Sequence, residues 1–214
     1  MNKPEERLSS AALYALAAAK EILTGGKAVL LTGAGLSTDS GIPDYRGAGR
    51  VARHPMTFDS FMSGIEAQQR YWSRSFVGFS RIALAKPNPG HFALARAEQS
   101  GRLVGLITQN VDGLHQAAGS SQVLDLHGRL DKVICLKCAA VFERALVDDW
   151  IAELNPTIER DQTIEFTPDG DAEVGFTDSF VVPTCKNCGG TIKPDVVFFG
   201  EQVPVARVNE ATAW

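Results

Sequence analysis

The apolar residues of this chain fall into short blocks of two kinds. Residues 28–31 (AVLL), 103–108 (LVGLIT) and 123–126 (VLDL) are brief runs bounded by glycines or polar residues. Such runs are predicted as strands, and the first two as strands buried in a parallel sheet. The other blocks are longer. Residues 11–23 carry Leu13, Leu16 and Leu23 at near-helical spacing, with Ser9 or Ser10 as a candidate cap and Gly25 as a stop. Residues 57–69 are predicted as a short helix, and residues 70–85 as a second, loaded with Tyr71, Trp72, Phe76, Phe79, Ile82 and Leu84. The cluster Pro87-Asn88-Pro89-Gly90 breaks that helix. A short helix follows over 91–99, and a further helical turn closes at Gly119. Strand, helix, strand, helix, strand is the βαβ pattern, so the expected class is α/β with a parallel sheet.

The character changes at Arg129. From there to Pro194 the chain holds two cysteine pairs, a predicted helix over 145–154 and an acidic stretch over 161–175. This reads as an insert with its own metal centre. Asp169, Gly170, Asp171 and Gly175 read as loop, because their spacing does not match an EF-hand. Residues 193–201 (KPDVVFFGE) are apolar and extended, either a core strand or an edge that pairs with an extended peptide. Periodicity leaves both open. Residues 205–214 read as a helix.

Composition narrows the partners. With 44% hydrophobic and 21% charged residues among 214, the chain is ordinary for a soluble globular protein. A net charge of −4 and the lack of a basic run speak against nucleic acid. No segment approaches the roughly 20 apolar residues that span a bilayer. An amphipathic first helix is expected rather than a signal peptide, and the location expected is cytoplasmic. All four cysteines fall in two close pairs, which points to metal rather than disulfides.

Four groups carry candidate chemistry. Residues 27–47 combine a strand, the turn Gly33-Ala34-Gly35 and the potential helix caps Ser37, Thr38, Asp39 and Ser40. A strand, glycine turn and helix start can hold a pyrophosphate, although Thr38 stands where a third glycine would complete the dinucleotide pattern. A plain strand-to-helix turn is the competing reading. The segment from Thr108 through Gln109, Asn110, Val111 and Asp112 to Gly113 follows the second strand directly. Ligands of open α/β sheets sit beyond such strand ends, and two amides with a carboxylate can bind a ribose and a carboxamide. Helix capping by Asn110 or Asp112 is the alternative. His127 closes the third strand, where an imidazole can serve as general base. His54, His91 and His115 are weaker candidates: a loop residue, a residue near a helix cap and a structural histidine. Finally, Cys135/Cys138 and Cys185/Cys188 are two C-x2-C knuckles separated by residues 139–184. Four thiolates close a tetrahedral zinc shell with no open position, so the metal is expected to be structural.

Taken together these segments resemble the sirtuins, the NAD-dependent protein lysine deacylases. The resemblance rests on Gly33-Ala34-Gly35-Leu36-Ser37, Gly41-Ile42-Pro43-Asp44-Tyr45-Arg46, Gln109-Asn110-Val111-Asp112, His127-Gly128, both cysteine pairs and residues 196–201, all in family order. The strings GIPDYRG, RYWSRSFVGF and KPDVVFFGE look most like the class II branch, which includes the mitochondrial sirtuin 4 type. The resemblance implies a Rossmann-like parallel sheet with an inserted small zinc-binding domain. Residues 1–128 would begin the NAD-binding domain, with a cofactor loop at 43–55. Residues 129–193 would form a zinc ribbon, and residues 194–214 would return to the first domain.

It also implies roles. Gly33, Ala34, Gly35 and Ser37 would hold the pyrophosphate, with Asp44, Tyr45 and Arg46 on the cofactor loop. Gln109 would contact the nicotinamide ribose. Asn110, Asp112 and the Ile42 backbone would shape the nicotinamide pocket. His127 would be the base, and Asn110 is counted with it as catalytic. Val197, Phe198 and Gly200 would line the acyl-lysine tunnel. Cys135, Cys138, Cys185 and Cys188 would bind zinc. The implied cofactors are NAD and one structural Zn2+; the implied partners are acylated lysine side chains of proteins, with no nucleic acid or membrane. Nicotinamide, free lysine and O-acyl-ADP-ribose would be the products, with mono-ADP-ribosyl transfer or lipoamidase activity as alternatives within the family. Sirtuins continue with further strands, so a C-terminally truncated chain is expected here, its later strands missing, its strand at 28–32 an uncovered edge and its activity weak or absent.

Overall fold

The structure, a computed structural model, describes residues 9–44, 55–158 and 178–214. Its first sheet is parallel and has the order β1-β2-β3, from β1 (Ala28–Thr32), β2 (Leu103–Thr108) and β3 (Val123–Asp125). Leu30 lies opposite Leu106, and Ile107 opposite Leu124. The central strand β2 buries Leu103, Leu106 and Thr108. By contrast β1 pairs only with β2, and Leu31 is 59% exposed. The expectation that β1 is buried on both faces is therefore corrected: among the described residues it is a sheet edge with no strand beside it other than β2. Helix α1 (Ser10–Gly25) starts as predicted, with Ser9 Oγ accepting the Ala12 N–H, but none of its residues is buried. Its apolar stripe of Leu13 and Leu16 is exposed.

Beyond β1 a 3-10 helix spans Ala34–Ser40 and closes on Gly41 in the left-handed conformation. Ser37, Thr38, Asp39 and Ser40 lie inside it and do not cap it. The single helix predicted over 57–69 is two elements, α2 (Phe58–Met62) and the start of α3 (Ile65–Ala83), separated by Gly64. The long α3 buries Tyr71, Trp72, Phe76, Val77 and Ile82. Asn88 then caps α4 (Pro89–Gln99), its Oδ1 accepting the N–H groups of Gly90 and His91. The short α5 (Leu114–Ala117) precedes β3.

The second sheet is antiparallel, order β5-β4-β6, from β4 (Gly128–Cys135), β5 (Val141–Glu143) and β6 (Ile192–Val196). The first residues of 193–201 pair with β4 as a buried edge strand, and the remainder leaves the sheet. Helix α6 (Arg144–Leu154) packs on β4 and joins Val147 and Ile151 to Val133, Ile192, Trp72 and Phe180 in one core. A fully buried Arg144 fastens α6 to α3. Its Nε donates to Asp148 Oδ1 at 2.7 Å, and Nη1 and Nη2 donate to the hydroxyl and carbonyl of Ser75. The guanidinium lies 4.4 Å from the centre of the Phe79 ring. Helix α7 (Val205–Ala213) ends at Trp214, whose ring rests on Gly105 so closely that a Cβ there would sit 2.4 Å from it. The acidic stretch over 161–175 lies outside the described residues.

Candidate active site

Backbone hydrogen bonds stitch the carboxyl ends of the strands together. The Gln109 N–H donates to Thr32 O, Leu126 N–H to Thr108 O, and Val197 N–H to His127 O, at 3.0, 2.9 and 2.8 Å. This brings the ends of β1, β2 and β3 beside the segment that follows β6. Four distant stretches of sequence thus meet at one edge.

Within that edge the polar side chains hold one another. Asn110, 9% exposed, donates from Nδ2 to Gly33 O and to Ser37 Oγ at 3.1 and 3.0 Å. Ser37 Oγ in turn donates to Asp112 Oδ2 at 2.7 Å. The other Asp112 oxygen accepts the Leu114 N–H at the start of α5, so this carboxylate both joins the site and caps a helix. The Ile42 N–H donates to Ser37 O, and the Ile42 side chain is buried. Ala34 and Gly35 begin the 3-10 helix, and a Cβ at Gly35 would meet nothing within 4 Å. A Cβ at Gly33 would reach Gln109 Oε1 at 4.0 Å. The turn therefore leaves open space beside an exposed Gln109, where backbone N–H groups at the start of the 3-10 helix suit a pyrophosphate and the nearby amides and carboxylate suit a ribose and a carboxamide. Asp44 is half-buried. Tyr45 and Arg46, like most of the 43–55 loop and His54, lie outside the described residues.

His127 is half-buried, with Nδ1 at 3.2 Å from Gln109 O. A carbonyl only accepts, so Nδ1 carries the proton and Nε2 is the ring's acceptor. Burial lowers the His127 pKa, the Gln109 carbonyl raises it in part, and the Arg207 guanidinium lowers it again. The net fall favours the neutral imidazole that a general base requires. Phe198 is buried edge-on against Phe61, at 5.4 Å between ring centres, and close to Tyr71. Gly200 has φ +78 at the exposed end of this segment. Val197 and Phe198 thus flank the His127 end of the crevice.

Sequence reasoning missed several residues that support this edge. Asn88 Nδ2 donates to Leu36 O at 2.7 Å and to Ser40 Oγ at 3.1 Å, tying the N-terminus of α4 to the turn after β1. An asparagine directly before a proline and glycine is an N-cap signal as well as a breaker. His115, buried at 1% exposure, has Nε2 at 2.9 Å from Thr32 Oγ1. Its ring stands edge-on to His91, 5.1 Å away. Burial first, and then the His91 charge, pull the His115 pKa down to about 4. Both rings are buried behind the strand ends, His91 within the cap of α4 and His115 against Thr32.

The four cysteines converge on one point. All four sulfurs lie within 4.8 Å of one another, with Cys135–Cys188 and Cys138–Cys185 separations of 3.5 and 3.7 Å. A tetrahedral shell with Zn–S bonds of about 2.3 Å has edges of about 3.8 Å, so the residues are positioned to bind a zinc ion. Gly190 is needed there, because a Cβ would meet Lys137 Cβ at 2.7 Å and two of the sulfurs at 3.2 Å.

Comparison with known proteins bears on the whole arrangement. A model of the Sir2 family matches residues 33–213. The sequence is 52% identical over 192 residues to an NAD-dependent protein deacetylase of Xanthomonas axonopodis pv. citri (strain 306), covering 86% of this chain and 64% of that protein. It is 48% identical over 200 residues to NAD-dependent protein deacetylase 1 of Streptomyces coelicolor, covering 91% and 66%. A solved complex of Sir2 with a p53 peptide and NAD+ matches with a TM-score of 0.67 at 31% identity, over 92% of this chain and 69% of that one. The chain spans less than two thirds of the length of these two curated relatives.

Proposed function

The chain belongs to the Sir2 family, with a Rossmann-like α/β fold and four cysteines positioned for one zinc ion, and on that premise we propose that it is an NAD-dependent protein lysine deacylase. One observation carries the reading: His127, just past β3, is hydrogen-bonded to Gln109 in the same edge where Asn110, Ser37 and Asp112 form a hydrogen-bonded chain.

When bound, NAD supplies a ribose C1′ whose bond to nicotinamide is exchanged for one to the acyl oxygen. The residues of this chain provide the surroundings. Gly33, Ala34, Gly35 and Ser37 leave room for the diphosphate at the turn. Asn110 and Asp112, pre-oriented through Ser37, offer an amide and a carboxylate to the carboxamide without reorganising. Gln109, exposed beside Gly33, would contact the ribose. His127 Nε2 takes a proton from a ribose hydroxyl, while the Gln109 carbonyl fixes the tautomer that makes this possible. Val197, Phe198 and Gly200 line the approach of the acyl-lysine, and the zinc site holds the β4–β6 ribbon without entering the chemistry.

Acylated lysine side chains of proteins are the proposed substrates, and a cytoplasmic location and the division at residues 129–193 belong to the same proposal. The class II strings put removal of longer acyl groups, including lipoyl, and mono-ADP-ribosyl transfer within reach of the same site; relatives named as deacetylases favour deacylation. The test is release of the acyl group from an acetyl-lysine peptide in the presence of NAD. His127→Ala should lower it about 10²–10⁴-fold while NAD still binds. Equal release by the two proteins would overturn the assignment. Mass gain on the peptide, rather than acyl loss, would signal ADP-ribosyl transfer.

A further inference from the structure

Lys193 is a buried lysine that the proposed chemistry does not use. It lies on β6 at 4% exposure, with its ammonium 4.9 Å from the centre of the Phe198 ring. An ammonium so placed is costly unless its donors are matched. They are matched within one short stretch: Lys193 Nζ donates to Val196 O and contacts Glu201 Oε2 at 3.1 Å. The same Glu201 oxygen accepts the Phe198 N–H at 2.8 Å. The Glu201 N–H returns to Phe198 O at 3.0 Å, closing a turn around residues 198–201. Burial lowers the Lys193 pKa, and the Glu201 carboxylate raises it in part.

Of the residues bearing charge, Asp195 faces Arg207, whose Nη2 lies 3.1 Å from each of its oxygens. The ion pair within the turn is therefore Lys193 with Glu201. The segment it encloses runs past His127 on one side and the Phe61–Tyr71 cluster on the other.

We propose that Lys193 and Glu201 are a positioning pair that fixes the backbone of residues 196–201, and so the direction in which Val197 and Phe198 meet an acyl-lysine peptide. The substrate half of this inference rests on the deacylase reading; the backbone half does not. Neither residue touches the reacting atoms. The ammonium anchors one end of the segment at Val196 O, and the carboxylate anchors the other at the Phe198 N–H. Arginine at position 193 retains a charged donor and should preserve the arrangement, whereas methionine fills the same space and removes both bonds.

The experiment compares the full chain with Lys193→Met, Lys193→Arg and Glu201→Gln, using amide exchange of Phe198 and the Kd of an acetyl-lysine peptide. Glu201 is less buried than Lys193, so Glu201→Gln provides a second route should Lys193→Met fail to fold. Lys193→Met and Glu201→Gln should each speed Phe198 exchange at least tenfold and weaken peptide binding by a similar factor. Lys193→Arg should stay within threefold of the parent in both, and NAD affinity should not move. Unchanged Phe198 exchange in folded Lys193→Met and Glu201→Gln would overturn the pair. Faster exchange with undiminished peptide affinity would overturn its substrate role. A parent chain that binds no acyl-lysine peptide, yet shows the exchange effect, would count against the deacylase reading and support the backbone clamp.

Discussion

The two sheets of this protein do different work with similar numbers of residues. The parallel sheet presents polar groups at its strand ends and leaves much of its outer strand uncovered, with Leu31 59% exposed. Its order near the crevice comes from hydrogen bonds among Ser37, Asn110 and Asp112. The antiparallel sheet has Val133 and Ile192 fully buried, Arg144 locked between two helices and four sulfurs converging at one end. Buried side-chain anchoring is concentrated in the second and polar groups at strand ends in the first. They share the joint His127–Gly128, where β3 passes into β4. Gly128 is essential to that joint, with φ +81 and a would-be Cβ only 1.9 Å from Asp195 O.

The comparison can be broken most decisively at the zinc site. Structural zinc in small modules corresponds to about 10–16 kcal/mol of apparent binding energy coupled to folding. Chelation of the zinc-loaded chain should therefore abolish the β4–β6 ribbon and lower the melting temperature sharply. Melting unchanged by chelation would mean that the antiparallel sheet does not depend on the metal. A smaller effect of the same origin is expected at Arg144. Arg144→Met removes the buried hydrogen bonds to Asp148 and Ser75, a loss of about 3–5 kcal/mol readable by urea titration. Adding Asp148→Leu should recover much of it; no recovery would show that packing, not the ion pair, is what Arg144 supplies.

The parallel sheet should reveal itself through pH. Unfolded histidine binds its proton near pH 6.5, whereas folded His115 binds it only near 4, because burial disfavours the charged ring. The unfolded chain therefore holds more protons between these values, and stability should fall as pH drops from 6.5 to 4, by on the order of 3 kcal/mol for this group. His91 and His127 shift in the same direction and add to the slope, while Asp125, raised by burial, opposes it at the acid end. Denaturation at pH 7 and pH 5 measures the slope, and His115→Gln should flatten it; an equally steep slope in that variant would move the source elsewhere. The mildest perturbation is Ser37→Ala, which removes one hydroxyl between Asn110 and Asp112. About 1–2 kcal/mol of stability should go, with a weaker NAD Kd by calorimetry. A loss of stability alone would leave Ser37 in the scaffold rather than the cofactor site.

Much of the site was legible in the residues themselves. Gly33, Gln109, Asn110, Asp112 and His127 were found because each follows a short apolar run directly, and strand ends are where an α/β sheet exposes polar groups. The cysteine pairs were found because C-x2-C spacing alone brings two sulfurs to one ion. Other features were hidden. The break at Gly64 interrupts an apolar pattern that continues on both sides, so 57–69 read as one helix. Asn88 looked only like a helix breaker, since its second bond, to Leu36 O, spans 52 positions. Lys193 carried no sequence signal, because a lysine beside a strand is ordinarily exposed.

The local sequence by itself therefore determined the three strands of the parallel sheet, most helices, the cysteine cluster and the polar residues at the strand ends, all of which follow from spacing along the chain, whereas β4 and β5 gave no such signal. Tertiary structure alone decided that Val197 bonds to His127 and that Arg144 joins α6 to α3. These depend on contacts between segments far apart in sequence, where periodicity carries no information and burial sets the energy of each polar group.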